Sequence, residues 1–122
     1  MNYNSDFKYD LEIGQKYETA LSEVLGKKIE IKRDFKCLQT GNIFIEYESR
    51  GKKSGIATSE ADWWCYWLSE HHLIMVELEK LKALCRTYFK TERDVRGGDS
   101  DTSKGILLPL KALFENEIFN SK

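Results

Sequence analysis

Acidic side chains and a lysine alternate through two neighbouring stretches of this 122-residue chain, Lys28–Asp34 (KIEIKRD) and Asn42–Glu48 (NIFIEYE). Glu30, Lys32 and Asp34 fall at every second position of the first, Glu46 and Glu48 of the second. Successive side chains of an extended chain point to opposite faces, so the charged groups share one face and Ile29, Ile31, Ile43 and Ile45 the other. Carboxylates crowded on adjoining strands repel, and a divalent cation between them relieves the repulsion. Mg²⁺ is satisfied by one or two carboxylates, waters and a substrate phosphate. It lowers the pKa of a bound water and neutralises charge building on phosphorus, and a neighbouring lysine adds to that stabilisation. These residue types at this spacing suit hydrolysis of a phosphate ester. Asp34 and Glu46 are the expected ligands of Mg²⁺ (or Mn²⁺), Lys32 the electrostatic partner, and Glu30 and Glu18 further holders of the ion or its waters.

The elements that must position these groups start with a β-hairpin. Thr40-Gly41-Asn42 reads as its turn, and a symmetric register sets Asp34 opposite Glu46 and Lys32 opposite Glu48, with facing Cβ atoms about 5 Å apart. A one-residue bulge would move every pairing. Before the hairpin, Tyr17, Leu21, Val24 and Leu25 keep helical spacing over residues 15–25, punctuated by Gly14 and Gly26, with Glu18 near the start. After it, Gly51 and Gly55 bracket a basic turn, and Ile56-Ala57-Thr58 reads as a short third strand. Ser59, followed by Glu60 and Asp62, predicts the N-cap of a helix over 61–70. Leu73–Leu78 predicts a buried strand, 79–90 an amphipathic helix, 92–105 a polar loop, Ile106–Leu108 an edge strand before Pro109, and 110–119 a last helix. The expected class is α/β or α+β: a small mixed sheet flanked by helices.

Composition bounds the rest. The length predicts one domain over 1–122, and 41% hydrophobic with 32% charged residues is an ordinary globular balance. No apolar run approaches the roughly 18–20 residues of a membrane helix. The opening MNYNSDFKYD lacks the basic and apolar regions of a secretory signal, so a cytoplasmic location and reduced Cys37, Cys65 and Cys85 are expected. The cysteines form no C-x-x-C pair, and their spacing from His71 and His72 gives a zinc site no support. The chain carries a net charge of −1, yet eight basic and four acidic residues lie between Lys27 and Lys53. A basic surround suits a bound metal that meets a phosphate backbone; a solvated rim explains the same count.

Residues 10–80 resemble a small PD-(D/E)XK nuclease of the type encoded by phages and related mobile elements. The resemblance rests on Asp10-Leu11 before Gly14, Glu18, Glu30-Ile31-Lys32 with Asp34, and Thr40-Gly41-Asn42 leading to Glu46. It continues through Ser54-Gly55-Ile56-Ala57-Thr58 and Ala61-Asp62-Trp63. It implies a restriction-endonuclease-like αβββαβ core, Mg²⁺, and cleavage of DNA phosphodiester bonds. Glu30-Ile31-Lys32 spells the family's acid-x-lysine literally, with no clear acidic strand before it except near Asp10. The preferred mapping takes Asp34 and Glu46 as the metal acids, leaves Glu48 where the family has lysine, and draws the lysine from Lys32.

Lys52 and Lys53 are candidate contacts to the nucleic-acid backbone, and Ser54 and Thr58 hydrogen-bond a phosphate or cap a turn. Trp63, Trp64 and Trp67 read as core, with base stacking as the other use. A homodimer is open by analogy with small nucleases. The alternative function is a non-catalytic module that binds nucleic acid or protein on a nuclease-like fold.

Overall fold

The computed structural model describes residues 3–114. The chain is mixed α+β, with two small sheets flanked by helices. A long helix α1 (Tyr3–Leu25) leads into strand β1 (Ile29–Arg33), the short helix α2 (Cys37–Thr40), β2 (Asn42–Ser49) and β3 (Lys52–Lys53). A 3-10 turn at Gly55–Ala57 precedes β4 (Trp63–Ser69), β5 (His72–Glu77) and α3 (Leu78–Tyr88). Strand β6 (Asp94–Gly97), a kinked 3-10 segment (Asp99–Asp101) and β7 (Ser103–Pro109) follow. One sheet has the order β1-β4-β5, with β1 parallel and β5 antiparallel to β4. The other is antiparallel, in the order β3-β2-β7-β6. Among the described residues no helix is long and apolar enough to cross a membrane.

The expected hairpin does not form. β1 and β2 belong to different sheets, so Asp34 does not face Glu46 nor Lys32 face Glu48 across a ladder. Lys32 is level with Tyr66 on β4; Glu46 is level with Gly105 on β7, and Glu48 with Lys53 and Lys104. The predicted turn is instead the end of α2, where Gly41 takes φ 77° and its N–H closes on the Cys37 carbonyl. A left-handed residue there stops the helix and releases the chain into β2.

The stretch expected as a helix over 61–70 is β4. Trp64, Tyr66 and Leu68 alternate into the core, and aromatic side chains pack well on a pleated surface. Ser59 caps differently: its Oγ accepts the Ala61 N–H and the Trp64 Nε1–H, fixing the loop that enters the strand. The expected strand at Ile56–Thr58 is the 3-10 turn. The expected loop over 92–105 contains β6, and Ile106–Leu108 lies inside a central strand rather than an edge. The expected helix over 15–25 is the end of the longer α1, through which Gly14 passes without a break. The expected strand at Leu73–Leu78 and helix at 79–90 match β5 and α3, but β5 is not the buried strand expected: it is an edge of its sheet, with Leu73 44% exposed. Of the last predicted helix, 112–114 are helical and 115–119 lie outside the described residues.

One hydrophobic cluster joins the inward faces of both sheets to α3. β2 supplies Ile43 and Ile45, β7 Ile106 and Leu108, β4 Trp64, Tyr66 and Leu68, and α3 Leu78, Leu81, Leu84 and Cys85. On β1 the alternation holds but its sense is inverted. Glu30 and Lys32 share the face of Trp64 and Tyr66, whereas Ile31 is 61% exposed. α1 stands outside this core: of its side chains from Phe7 onward, only Val24 is even partly covered.

Three weak acids in or against this core titrate late. Burial first, then its hydrogen bond to Asp94 (Oη donating to Oδ1, 2.6 Å), pushes the Tyr47 phenol up to about 12. Burial pushes the Cys85 thiol up to about 12 and raises Tyr66 as well. Each group is held protonated by the fold, so its contribution is complete below its unfolded pKa and is lost as pH rises through its folded one. Melting temperature is therefore expected to hold steady up to pH 9 and to fall between pH 9 and pH 12. Tyr47→Phe is expected to make the fall above pH 10 shallower, measured by thermal melts across that range.

Candidate functional site

Asp34 follows the last residue of β1, and its N–H extends the β1–β4 ladder to the Trp67 carbonyl (2.9 Å). Its carboxylate then reaches the other sheet. Oδ1 accepts the Cys37 N–H at the start of α2, and Oδ2 accepts the Phe44 N–H of β2, both at 3.2 Å. β3 pairs with β2 only at Glu48 and Ser49, so the edge of β2 at Phe44 carries an N–H that no strand takes. Asp34 satisfies it and ties the two sheets together.

Glu46 lies on β2 just before a bulge between Glu46 and Glu48. Its Oε1 accepts the Ser103 hydroxyl at 2.6 Å and its Oε2 the Ser54 hydroxyl at 3.0 Å. Gly55 crosses directly over its backbone: a Cβ there would lie 2.2 Å from the Glu46 carbonyl oxygen. Only glycine fits there, and the neighbouring Ser54 reaches the carboxylate. Neither Asp34 nor Glu46 is ion-paired among the described residues.

Lys32 projects from β1 toward the same place. Its ammonium lies 3.7 Å from Glu30 and 5.4 Å from the centre of the Trp64 ring, a cation–π distance. Lys32, Asp34 and Glu46 line one cavity of about 280 Å³, walled by Phe44, Trp64 and Tyr66 and floored by Gly55 and Gly98. The Tyr66 phenol is raised chiefly by burial and further by Cys85, Asp34 and Glu30, so it stays a neutral hydroxyl. A larger hollow of about 370 Å³, between Tyr47, Ile56, Cys85 and Phe89, is apolar and contains no carboxylate.

The pairing of Asp34 with Glu46 that the hairpin argument required is absent; Lys32, Asp34 and Glu46 share only the lining of this cavity, reached from two different sheets. Glu30 stands beside Lys32 and does not line the cavity. Glu18 is exposed on α1, also outside it. Lys52 and Lys53 are exposed on the edge strand β3. Ser54 holds Glu46, and the Thr58 hydroxyl donates to the Gly55 carbonyl (3.3 Å), closing the 3-10 turn. Glu48 pairs with Lys104 at 3.7 Å. Sequence reasoning missed Ser103, the second hydroxyl on Glu46, and Gly98, and read Gly55 as the end of a basic turn rather than as a close crossing over Glu46. Its signal was faint: a serine flanked by polar residues, 57 positions from its partner.

Among the described residues no group of three or more His, Cys, Asp or Glu converges on one point. Each oxygen of the Asp34 and Glu46 carboxylates takes one hydrogen bond. No family model matches the chain, and no match was found among curated proteins or solved structures.

Proposed function

We propose that this chain is a metal-dependent nuclease of the PD-(D/E)XK kind that hydrolyses phosphodiester bonds of DNA. The observation that carries the reading is the convergence of Lys32, Asp34 and Glu46 on one cavity. Asp34 and Glu46 would hold Mg²⁺ or Mn²⁺. When bound, the ion supplies Lewis acidity and an acidified water. The chain's own part is positioning. Two backbone N–H groups fix the Asp34 carboxylate and two serine hydroxyls that of Glu46, so neither needs to reorganise. Glu30 and the face of Trp64 hold the Lys32 ammonium at the cavity wall, where it offers positive charge to a phosphate oxygen. Lys52 and Lys53 add sequence-independent attraction to the backbone.

The test is cleavage of plasmid and of labelled oligonucleotides with Mg²⁺ or Mn²⁺, and with chelator. Glu46→Gln keeps the shape and one acceptor oxygen, requires the other serine hydroxyl to turn and accept from the amide, and removes the charge; it is expected to lower the rate by roughly 10³-fold, about 4 kcal/mol of barrier. Equal cleavage by wild type and variant would reject the assignment. The structural hydrogen bond taken by every oxygen of both carboxylates favours a second reading, a non-catalytic module that binds nucleic acid or protein. That module would bind oligonucleotides with steep salt dependence, indifferent to chelator, and cut nothing.

A further inference from the structure

We propose that the Tyr66 hydroxyl, beside the Lys32 ammonium, donates to a phosphate oxygen of nucleic acid bound in the cavity of Lys32, Asp34 and Glu46. This role rests on the nuclease reading above and names one more of its substrate contacts. Tyr66 is 4% exposed and lines that cavity. Its hydroxyl has no hydrogen-bond partner among the described residues. No side-chain oxygen or nitrogen among them is both sealed off and unpaired. The Tyr66 oxygen therefore borders open space, and the space this side chain lines is the cavity. Comparable polar groups are already spent. The Trp64 Nε1–H donates to Ser59 (2.9 Å), the Ser54 and Ser103 hydroxyls donate to Glu46 (3.0 and 2.6 Å), and the Tyr47 phenol donates to Asp94 (2.6 Å). A buried hydroxyl without a partner is unfavourable, and native proteins rarely keep one. Phenylalanine would fill the same place without that penalty, so packing alone does not account for the oxygen.

Position selects the ligand. Lys32 and Tyr66 are register partners on adjacent parallel strands, so their side chains leave the sheet side by side on one face. Together they present an ammonium and a neutral O–H. Burial holds the phenol protonated well above its ordinary range, with smaller contributions from Cys85, Asp34 and Glu30. A proton held that firmly is shared in a hydrogen bond and not given up, so Tyr66 binds an oxygen and does not act as an acid. Both donors suit an acceptor that carries negative charge, and phosphate offers several such oxygens. Asp34 and Glu46 repel an anion unless a divalent ion stands between. Phosphate and ion are therefore expected to enter together.

Tyr66→Phe removes this oxygen and keeps the ring. In calorimetric titration with thymidine monophosphate and Mg²⁺, the variant is expected to bind about 10-fold more weakly than wild type, the scale of one hydrogen bond to a charged group. Chelator is expected to abolish binding by both. Oligonucleotide cleavage, read as kcat/KM, is expected to fall by a similar factor. The urea midpoint without ligand is expected to stay level or rise, because the oxygen has no partner to lose. Tyr47→Phe is the control. Its hydroxyl is bonded to Asp94, so it is expected to lower the urea midpoint and to leave nucleotide binding unchanged. If wild type binds the nucleotide or cuts DNA and Tyr66→Phe does so equally well, the contact is overturned and the nuclease reading stands. A lower urea midpoint for Tyr66→Phe also overturns it, since the oxygen then serves the fold. A wild type that neither binds the nucleotide with Mg²⁺ nor cuts DNA ends the nuclease reading, and this role with it.

Discussion

Gly55→Ala is expected to destabilise the protein by at least about 3 kcal/mol, and to do so without touching any charged group. Two independent effects add. The residue sits at φ +54°, where an L side chain is strained. The added methyl would also stand 2.2 Å from the Glu46 carbonyl oxygen and 2.9 Å from its carbon, both backbone atoms of a central strand. Neither neighbour can rotate aside as a side chain would, so the 3-10 turn must lift from β2. Lifting it withdraws the Ser54 hydroxyl from Glu46 and displaces Ile56, which is buried in the core. Urea denaturation followed by tryptophan fluorescence measures the loss. An alanine variant within about 1 kcal/mol of wild type would mean that the crossing is looser than described.

Asp34→Ala is expected to fail twice, in stability and in cleavage, while Asp34→Asn fails chiefly in cleavage. Alanine leaves the Cys37 and Phe44 N–H groups without their acceptor. At about 1–3 kcal/mol for each abandoned buried donor, less where water reaches them, the loss is expected near 3 kcal/mol. Asparagine keeps one carbonyl oxygen for one of the two donors and the same shape, and is expected to lose about 1 kcal/mol. Both remove a carboxylate from the cavity and are expected to cut metal-dependent hydrolysis by roughly 10³-fold. Urea midpoints and single-turnover rates on the same preparations separate the effects. An asparagine variant that cleaves like wild type would leave Asp34 a purely structural residue.

Alternation along each strand was legible in the sequence, and pairing between strands was not. Ile43 and Ile45 point into the core as period-two patterning predicts, and the buried face of α3 follows its helical spacing. Ile31 follows the same rule and faces outward, because the pattern says which residues share a face and not which face is covered. The partner of β1 is β4, thirty-odd residues on and parallel, a contact that no local turn encodes. Thr40-Gly41-Asn42 carries hairpin-turn chemistry, but Asp34 captures the Cys37 N–H and starts a helical turn first. Trp63–Ser69 misleads for another reason: Cys65 is buried as well as Trp64 and Tyr66, so alternation is blurred in a strand flanked on both sides. For the proposed site, charge and residue type singled out Lys32, Asp34 and Glu46, which line one cavity. The scaffold of Ser103, Gly55 and Gly98 depends on a chain crossing that only the tertiary fold creates.

Asp34 and Glu46 approach the cavity from separate sheets, joined there by the bond from the Phe44 N–H of β2 to the Asp34 carboxylate. Whatever both acids grip becomes a rivet through the seam. Occupancy and cohesion are then one thermodynamic quantity: a filled cleft tightens the whole body, and any distant substitution that lets the seam gape weakens the grip by the same amount.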